Sequence, residues 1–182
     1  PTEDVTAHIL EALAAAGLPG EHPAVRRGVR YLLDSQRADG SWWGRWGVNH
    51  IYGTGAVLPA LAAVGEDLTA PPVRRAVAWL ADHQNADGGW GERIDSYWDP
   101  EWVGRGDSTA SQTAWALLGL LAVDPDHPAV AGGVRWLVEH QSPNGEWRED
   151  AFTGTGFPGD FMIKYHYYRL YFPLAALGRF VG

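Results

Sequence analysis

Apolar residues recur at helical spacing in seven stretches of this chain: Val5–Ala16, Ala24–Ser35, Gly55–Val64, Val73–Gln84, Thr109–Leu121, Ala129–Gln141 and Phe161–Phe180. That period predicts seven helices. Breakers fall between them, at Gly17-Leu-Pro19-Gly20, Pro71-Pro72 and Asp124-Pro-Asp-His-Pro128. Pro23, Pro72 and Pro128 stand at the head of a helical pattern, where a missing N–H costs nothing. No stretch alternates well enough to predict a strand, and Ser41–Val48 reads as loop. Two long loops remain, Glu92–Asp107 and Arg148–Asp160; loops of that length are more often functional than decorative.

Laid over these helices is an internal repeat. Gln36-Arg-Ala-Asp-Gly-Ser-Trp42, Gln84-Asn-Ala-Asp-Gly-Gly-Trp90 and Gln141-Ser-Pro-Asn-Gly-Glu-Trp147 share one Gln-x5-Trp pattern around an Asp-Gly or Asn-Gly turn. Each follows a similar helix end, Val29-Arg-Tyr-Leu-Leu33, Val77-Ala-Trp-Leu80 or Val134-Arg-Trp-Leu-Val138. A spacing of 48 and then 57 residues is enough for two helices per unit, so the chain reads as stacked helix pairs. Each Gln can bond exposed backbone groups at the end of a neighbouring helix, with the Trp stacked on its amide, which makes the set a structural clip.

Composition narrows the possibilities. The 182 residues carry a formal charge of −8 and no basic run, which argues against nucleic-acid binding. There is no Cys, hence no disulfide and no thiolate metal site. No apolar run reaches the roughly 18 residues of a spanning helix. Ten Trp is far above ordinary usage and points to aromatic packing or a π-rich surface.

The repeats resemble the QW repeats of triterpene cyclases. Asp39-Gly-Ser-Trp-Trp-Gly-Arg-Trp-Gly-Val-Asn49, Ile51-Tyr-Gly-Thr-Gly55, Ser111-Gln-Thr-Ala-Trp-Ala-Leu117 and Gly154-Thr-Gly-Phe-Pro-Gly-Asp-Phe161 are similar to squalene–hopene cyclases. The resemblance implies an all-α fold, an α/α toroid forming part of an (α/α)6 barrel. Residues 1–182 would be one carboxy-terminal segment of a chain about three times longer. Protein prenyltransferases share helical toroids, but their zinc site uses a Cys that is absent here. The family's initiating acid lies in an Asp-x-Asp-Asp motif, and no such string occurs in these residues. The segment alone is therefore not expected to cyclise squalene.

Protonating an isolated alkene needs a strong carboxylic acid, whose conjugate base a neighbouring His can stabilise. Asp4-Val-Thr-Ala-His8 resembles the family segment supplying that His, so His8 is the candidate partner of the acid and Asp4 a second member. Their i, i+4 spacing predicts an Asp4–His8 contact. The migrating carbocation then requires a dry, electron-rich wall; each aromatic face offers roughly 0.5–2 kcal/mol of cation–π attraction. By family motif, the wall residues are Trp46, Tyr52, Phe157, Phe161, Tyr165 and Tyr168. Tyr52 is also a candidate for positioning the acid network. Phe161, Tyr165 and Tyr168 would share one helix stripe, and Gly154, Gly156 and Gly159 would let the Phe157 loop approach substrate closely.

Other polar residues rank lower. His22, His83, His127 and His140 read as solvated beside turns. His50 stands where the family usually has Tyr, which would alter a hydrogen bond near Trp46; His166 shares that caution. Glu92, Arg93, Asp95, Asp99, Glu101, Arg105 and Asp107 read as solvated loop charge, with glycoside hydrolysis by paired carboxylates a minor alternative. The resemblance implies no metal or organic cofactor. The partners it implies are squalene or a similar polyprenoid, the upstream half of the same enzyme and a membrane surface, in a cytoplasmic, monotopic protein. Unpaired toroid faces predict self-association, a homodimer included. The competing reading is a non-catalytic toroid module binding an apolar ligand or a partner protein.

Overall fold

Two kinds of helix alternate along the chain, and composition decides where each lies. A computed structural model describes residues 1–182. Its helices are α1 Glu3–Ala15, α2 Pro23–Ser35, α3 His50–Ala63, α4 Pro71–Asp82, α5 Ala110–Val123, α6 Pro128–Glu139 and α7 Tyr168–Val181. Helix α3 is buried without a break from His50 to Leu61, and α5 from Ala110 to Leu117. Helices apolar on all sides belong inside. Accordingly α3 packs between α1 and α5, and α5 between α3 and α7. By contrast α2, α4 and α6 bury one face each, such as Val25, Val29 and Leu32 of α2, and back onto α1, α3 and α5. An inner row, α1–α3–α5–α7, is thus backed by an outer row, α2–α4–α6. Close inner spacing depends on Gly55, where a Cβ would lie 2.4 Å from the Trp115 carbonyl oxygen.

Each outer helix begins with Pro. His22 and His127 are not merely solvated: their Nδ1 atoms accept from Ala24 N and Ala129 N at 3.2 Å, capping α2 and α6. His83 and His140 correct the same expectation. They stack on Trp79 and Trp136 at 4.2 Å and donate Nδ1–H to the carbonyls of those residues.

The clips form. Gln36 Nε2 donates to Gly40 O within its own turn and to Pro72 O in the first turn of α4. Gln84 Nε2 does the same with Gly88 O and Ala129 O of α6. Trp42, Trp90 and Trp147 are fully buried. Each indole sends its N–H back to the carbonyl four residues before the Gln, at Leu32, Leu80 or Leu137, over 2.6 to 2.8 Å. The Trp therefore staples its turn to the helix it has just left.

The helix expected over Phe161–Phe180 starts seven residues late. Gly154–Phe157 (β1) and Phe161–Ile163 (β2) pair antiparallel instead, turning at Gly159, whose φ of +85° suits glycine. The hairpin is anchored from outside, since Val48 N donates to Thr153 O and Thr155 N to Trp46 O. Phe161 and Tyr168 consequently do not share a helix stripe. The 92–107 segment also has structure, two 3-10 turns at Ile94–Tyr97 and Pro100–Trp102.

Candidate functional site

The inner row gathers rings into a continuous column. The His8 ring on α1 lies 6.2 Å from that of Tyr52 on α3, and His8 Nε2 is 3.2 Å from the Tyr52 hydroxyl. The next contact is Tyr52 against Trp115 of α5, edge to face at 4.8 Å. Trp115 in turn meets Tyr168 and Phe172 of α7 at 5.6 and 5.4 Å. Tyr168 stacks near Tyr165 at 4.6 Å, and Tyr171 meets Phe172 at 4.3 Å. A cleft of about 120 Å³ opens beside this column, lined by His8, Glu11, Tyr52, Ala56, Trp115 and Phe172. Aromatic ring faces are electron-rich and attract a cation.

Desolvation makes three of these phenols harder to ionise. Desolvation raises the Tyr52 hydroxyl well above the ordinary tyrosine range, with the nearby Asp4 charge adding to it. Tyr168 is raised by desolvation and by Tyr171, and Tyr171 by desolvation and by Tyr165. These hydroxyls can donate hydrogen bonds and carry no negative charge near neutral pH.

The expected Asp4–His8 contact is not how Asp4 is held. Asp4 is fully buried; its Oδ2 accepts from Arg45 N and Trp46 N at 3.0 and 2.9 Å, and its Oδ1 from Val5 N and Thr2 Oγ1. Backbone N–H groups of the first repeat's loop reach Asp4 first. His8 turns instead to Tyr52 and, through Nδ1, to Glu11 at 3.3 Å.

Tyr52, Tyr165 and Tyr168 thus join one column, whereas Trp46, Phe157 and Phe161 form a separate rim. Phe157 and Phe161 face each other across the hairpin and are 62% and 57% exposed; Trp46 is 39% exposed under the Arg45 guanidinium. Gly154 connects rim and column, because a Cβ there would lie 2.5 Å from the Tyr165 ring. The space expected for substrate beside Gly154 is filled by Tyr165, and that beside Gly156 by Phe161.

The loop that carries Trp46 is fixed by a buried polar network. Glu92, expected in solvent, is buried, and its Oε2 accepts from Asn49 N and Ile51 N at 3.2 and 2.9 Å where α3 begins. Burial raises its pKa against the pull of those N–H groups, and its Oε1 has no partner. Gln112 Nε2 donates to Val48 O and Glu92 O, both at 2.9 Å. Glu149 repeats the arrangement at the start of α5, accepting from Ser111 N and Ser111 Oγ at 2.8 Å. Tyr97 places its hydroxyl between the carbonyls of Gly44 and Gly47. His50 is buried too: its Nδ1 lies 2.9 Å from Ser41 Oγ, not beside Trp46, and desolvation lowers its pKa to about 4. His166 is exposed.

Sequence reasoning did not select Trp115, Tyr171, Phe172 or Glu92. Trp115 had a signal, lying inside the Ser111–Leu117 motif. Glu92 and Glu149 share one as well, each following its repeat Trp by two residues.

Comparison with known proteins agrees with this architecture. The family model described as squalene-hopene cyclase C-terminal domain matches residues 1–182. The squalene–hopene cyclase of Alicyclobacillus acidocaldarius is 58% identical over 181 residues, covering 99% of this chain and 29% of that protein. That of Zymomonas mobilis is 50% identical, covering 99% and 28%. The chain therefore spans less than a third of the length of these relatives. Among solved structures, the ent-copalyl diphosphate synthase from Streptomyces platensis superposes with a TM-score of 0.68 at 28% identity, over 100% of this chain and 34% of that one. A variant of the type II terpene cyclase MstE from Scytonema, solved with its substrate geranylgeranyl dihydroxybenzoate, gives 0.58 at 28% identity, over 82% and 39%. On its three Gln-x5-Trp repeats and this match along its whole length, the chain belongs to the squalene–hopene cyclase family, as that family's carboxy-terminal domain.

Proposed function

We propose that these residues form the carboxy-terminal wall of a class II terpene cyclase cavity that converts squalene, or a similar linear polyprenoid, into fused rings. The observation that supports this reading most is the unbroken run of rings from His8 through Tyr52 and Trp115 to Tyr168 and Phe172. The chemistry divides along it. At the His8 end, a carboxylic acid supplied by polypeptide outside residues 1–182 gives its proton to a terminal alkene carbon. Tyr52 fixes the His8 ring by their 3.2 Å contact, and His8 stabilises the carboxylate left behind. Successive alkenes then attack the cation, forming carbon–carbon bonds while the charge moves along the rings. The π faces act on that charge and not on the neutral polyene, as rate enhancement requires. Loss of a proton or addition of water ends the sequence.

Asp4 acts here as a positioning residue that holds the Arg45–Trp46 loop. Trp46, Phe157 and Phe161 are assigned to the mouth of the cavity, where other parts of the polypeptide would cover them. A cytoplasmic protein resting on a membrane surface, where squalene-like substrates dissolve, completes the proposal; no helix is long and apolar enough to cross a membrane. The test uses the longer polypeptide. His8→Ala should lower kcat about 100-fold or more, and Tyr52→Phe should retain the fold while slowing initiation. Unchanged product formation in both variants would overturn the assignment.

A further inference from the structure

One carboxylate touches the end of the ring column. Glu11 stands one turn after His8 on α1, and its Oε2 lies 3.3 Å from His8 Nδ1. The other ring nitrogen, Nε2, is 3.2 Å from the Tyr52 hydroxyl. Both nitrogens of His8 are therefore engaged, one from its own helix and one from α3. Glu11 lines the same cleft as the ring, together with Arg179 of α7. Arg179 pairs with no carboxylate, so Glu11 is left to His8.

The two contacts differ in what they allow. An ionised carboxylate can only accept, so Nδ1 is the nitrogen that carries hydrogen in its contact with Glu11. A phenol both donates and accepts, and meets Nε2 whether that nitrogen holds a lone pair or a proton. Glu11 thereby selects the tautomer and leaves Nε2 as the nitrogen whose proton comes and goes. An isolated pair of half-exposed side chains would contribute little. Here the ring is held at both nitrogens, while the 50% exposure of the His8 side chain leaves room for an acid arriving from outside residues 1–182.

We propose that Glu11 is a positioning residue for the initiating step. It holds the His8 ring with Nε2, beside Tyr52, towards the acid, and offsets the positive charge on that ring while the acid is a carboxylate. The proton passes from the acid to the alkene carbon; neither His8 nor Glu11 exchanges one with the substrate. The inference rests on the reading of His8 as the partner of the acid.

Squalene turnover by the full-length polypeptide tests it, with His8→Ala as the reference. Glu11→Gln keeps an acceptor for Nδ1–H and removes the charge, and should lower kcat about tenfold. Glu11→Leu removes both and should lower it about three- to tenfold further, the worth of one hydrogen bond. In both variants KM and the thermal unfolding midpoint should stay near the parental values, because exposed pairs add little to stability. If His8→Ala loses activity while Glu11→Gln keeps the parental kcat, the proposal is overturned and the reading of His8 stands. If His8→Ala turns over like the parent, that reading falls and takes the proposal with it. A raised KM at unchanged kcat, or a loss of kcat matched by a lowered unfolding midpoint, would make Glu11 a packing residue and overturn the proposal as well.

Discussion

Replacing His50 by Asn tests how the buried polar layer under the first repeat responds to acid. His50 is 1% exposed, and its Nδ1 lies 2.9 Å from Ser41 Oγ, which donates in turn to Asp39 Oδ1 at 2.8 Å. Desolvation is the main reason its pKa falls from the ordinary 6.5 to about 4, with the Arg37 and His83 charges adding and Asp39 opposing. The folded state therefore refuses a proton that the unfolded chain accepts between those two values. Stability from this group is complete above about pH 6.5 and is lost as pH falls towards 4. At about 1.4 kcal/mol per pH decade the loss amounts to roughly 3 kcal/mol. Urea unfolding from about pH 7 down to pH 4 should show the parent losing that much more stability than His50→Asn. Comparing slopes removes the contribution of other groups, including Glu92, whose raised pKa works in the opposite direction. Parallel curves for parent and variant would refute the reasoning.

Three further substitutions probe the frame. Trp90→Ala removes a fully buried indole and its 2.7 Å bond to Leu80 O, and should cost about 3–5 kcal/mol in chemical denaturation; a near-neutral midpoint would sink the staple. Glu92→Leu orphans Asn49 N and Ile51 N and should cost about 1–3 kcal/mol, whereas Glu92→Gln should cost less because it keeps an acceptor; equal losses would contradict the capping role. Gly154→Ala forces a methyl group into the Tyr165 ring and should cost about 1–3 kcal/mol. In the longer polypeptide it should also shift the product mixture, and an unchanged mixture would detach Tyr165 from the wall.

How much of this was legible in the sequence follows from the range over which each signal acts. The helices and clips were readable because helical period, prolines and the Gln-x5-Trp spacing are local. The hairpin was not. Phe161, Tyr165 and Tyr168 have spacing that suits a helix, and two strands of four and three residues are too short to show alternation. What decides the matter is non-local, namely the bonds from Val48 N to Thr153 O and from Thr155 N to Trp46 O. Glu92 escaped for a similar reason, since its burial depends on a loop folding back over the start of α3. His8, Tyr52 and Tyr168 came from family motifs, while Trp115, which joins them, needed α3, α5 and α7 to be placed side by side.

The cation-stabilising role of the ring column can be measured directly as a ratio of affinities. A protonated polyprenyl amine and its neutral isosteric ether are titrated into the full-length polypeptide, before and after Tyr168→Leu. Losing one ring face worth roughly 0.5–2 kcal/mol should lower the preference for the cation by about 2- to 30-fold while leaving ether binding nearly unchanged. An unaltered ratio, or equal weakening of both ligands, would mean that the column packs the fold and does not stabilise charge.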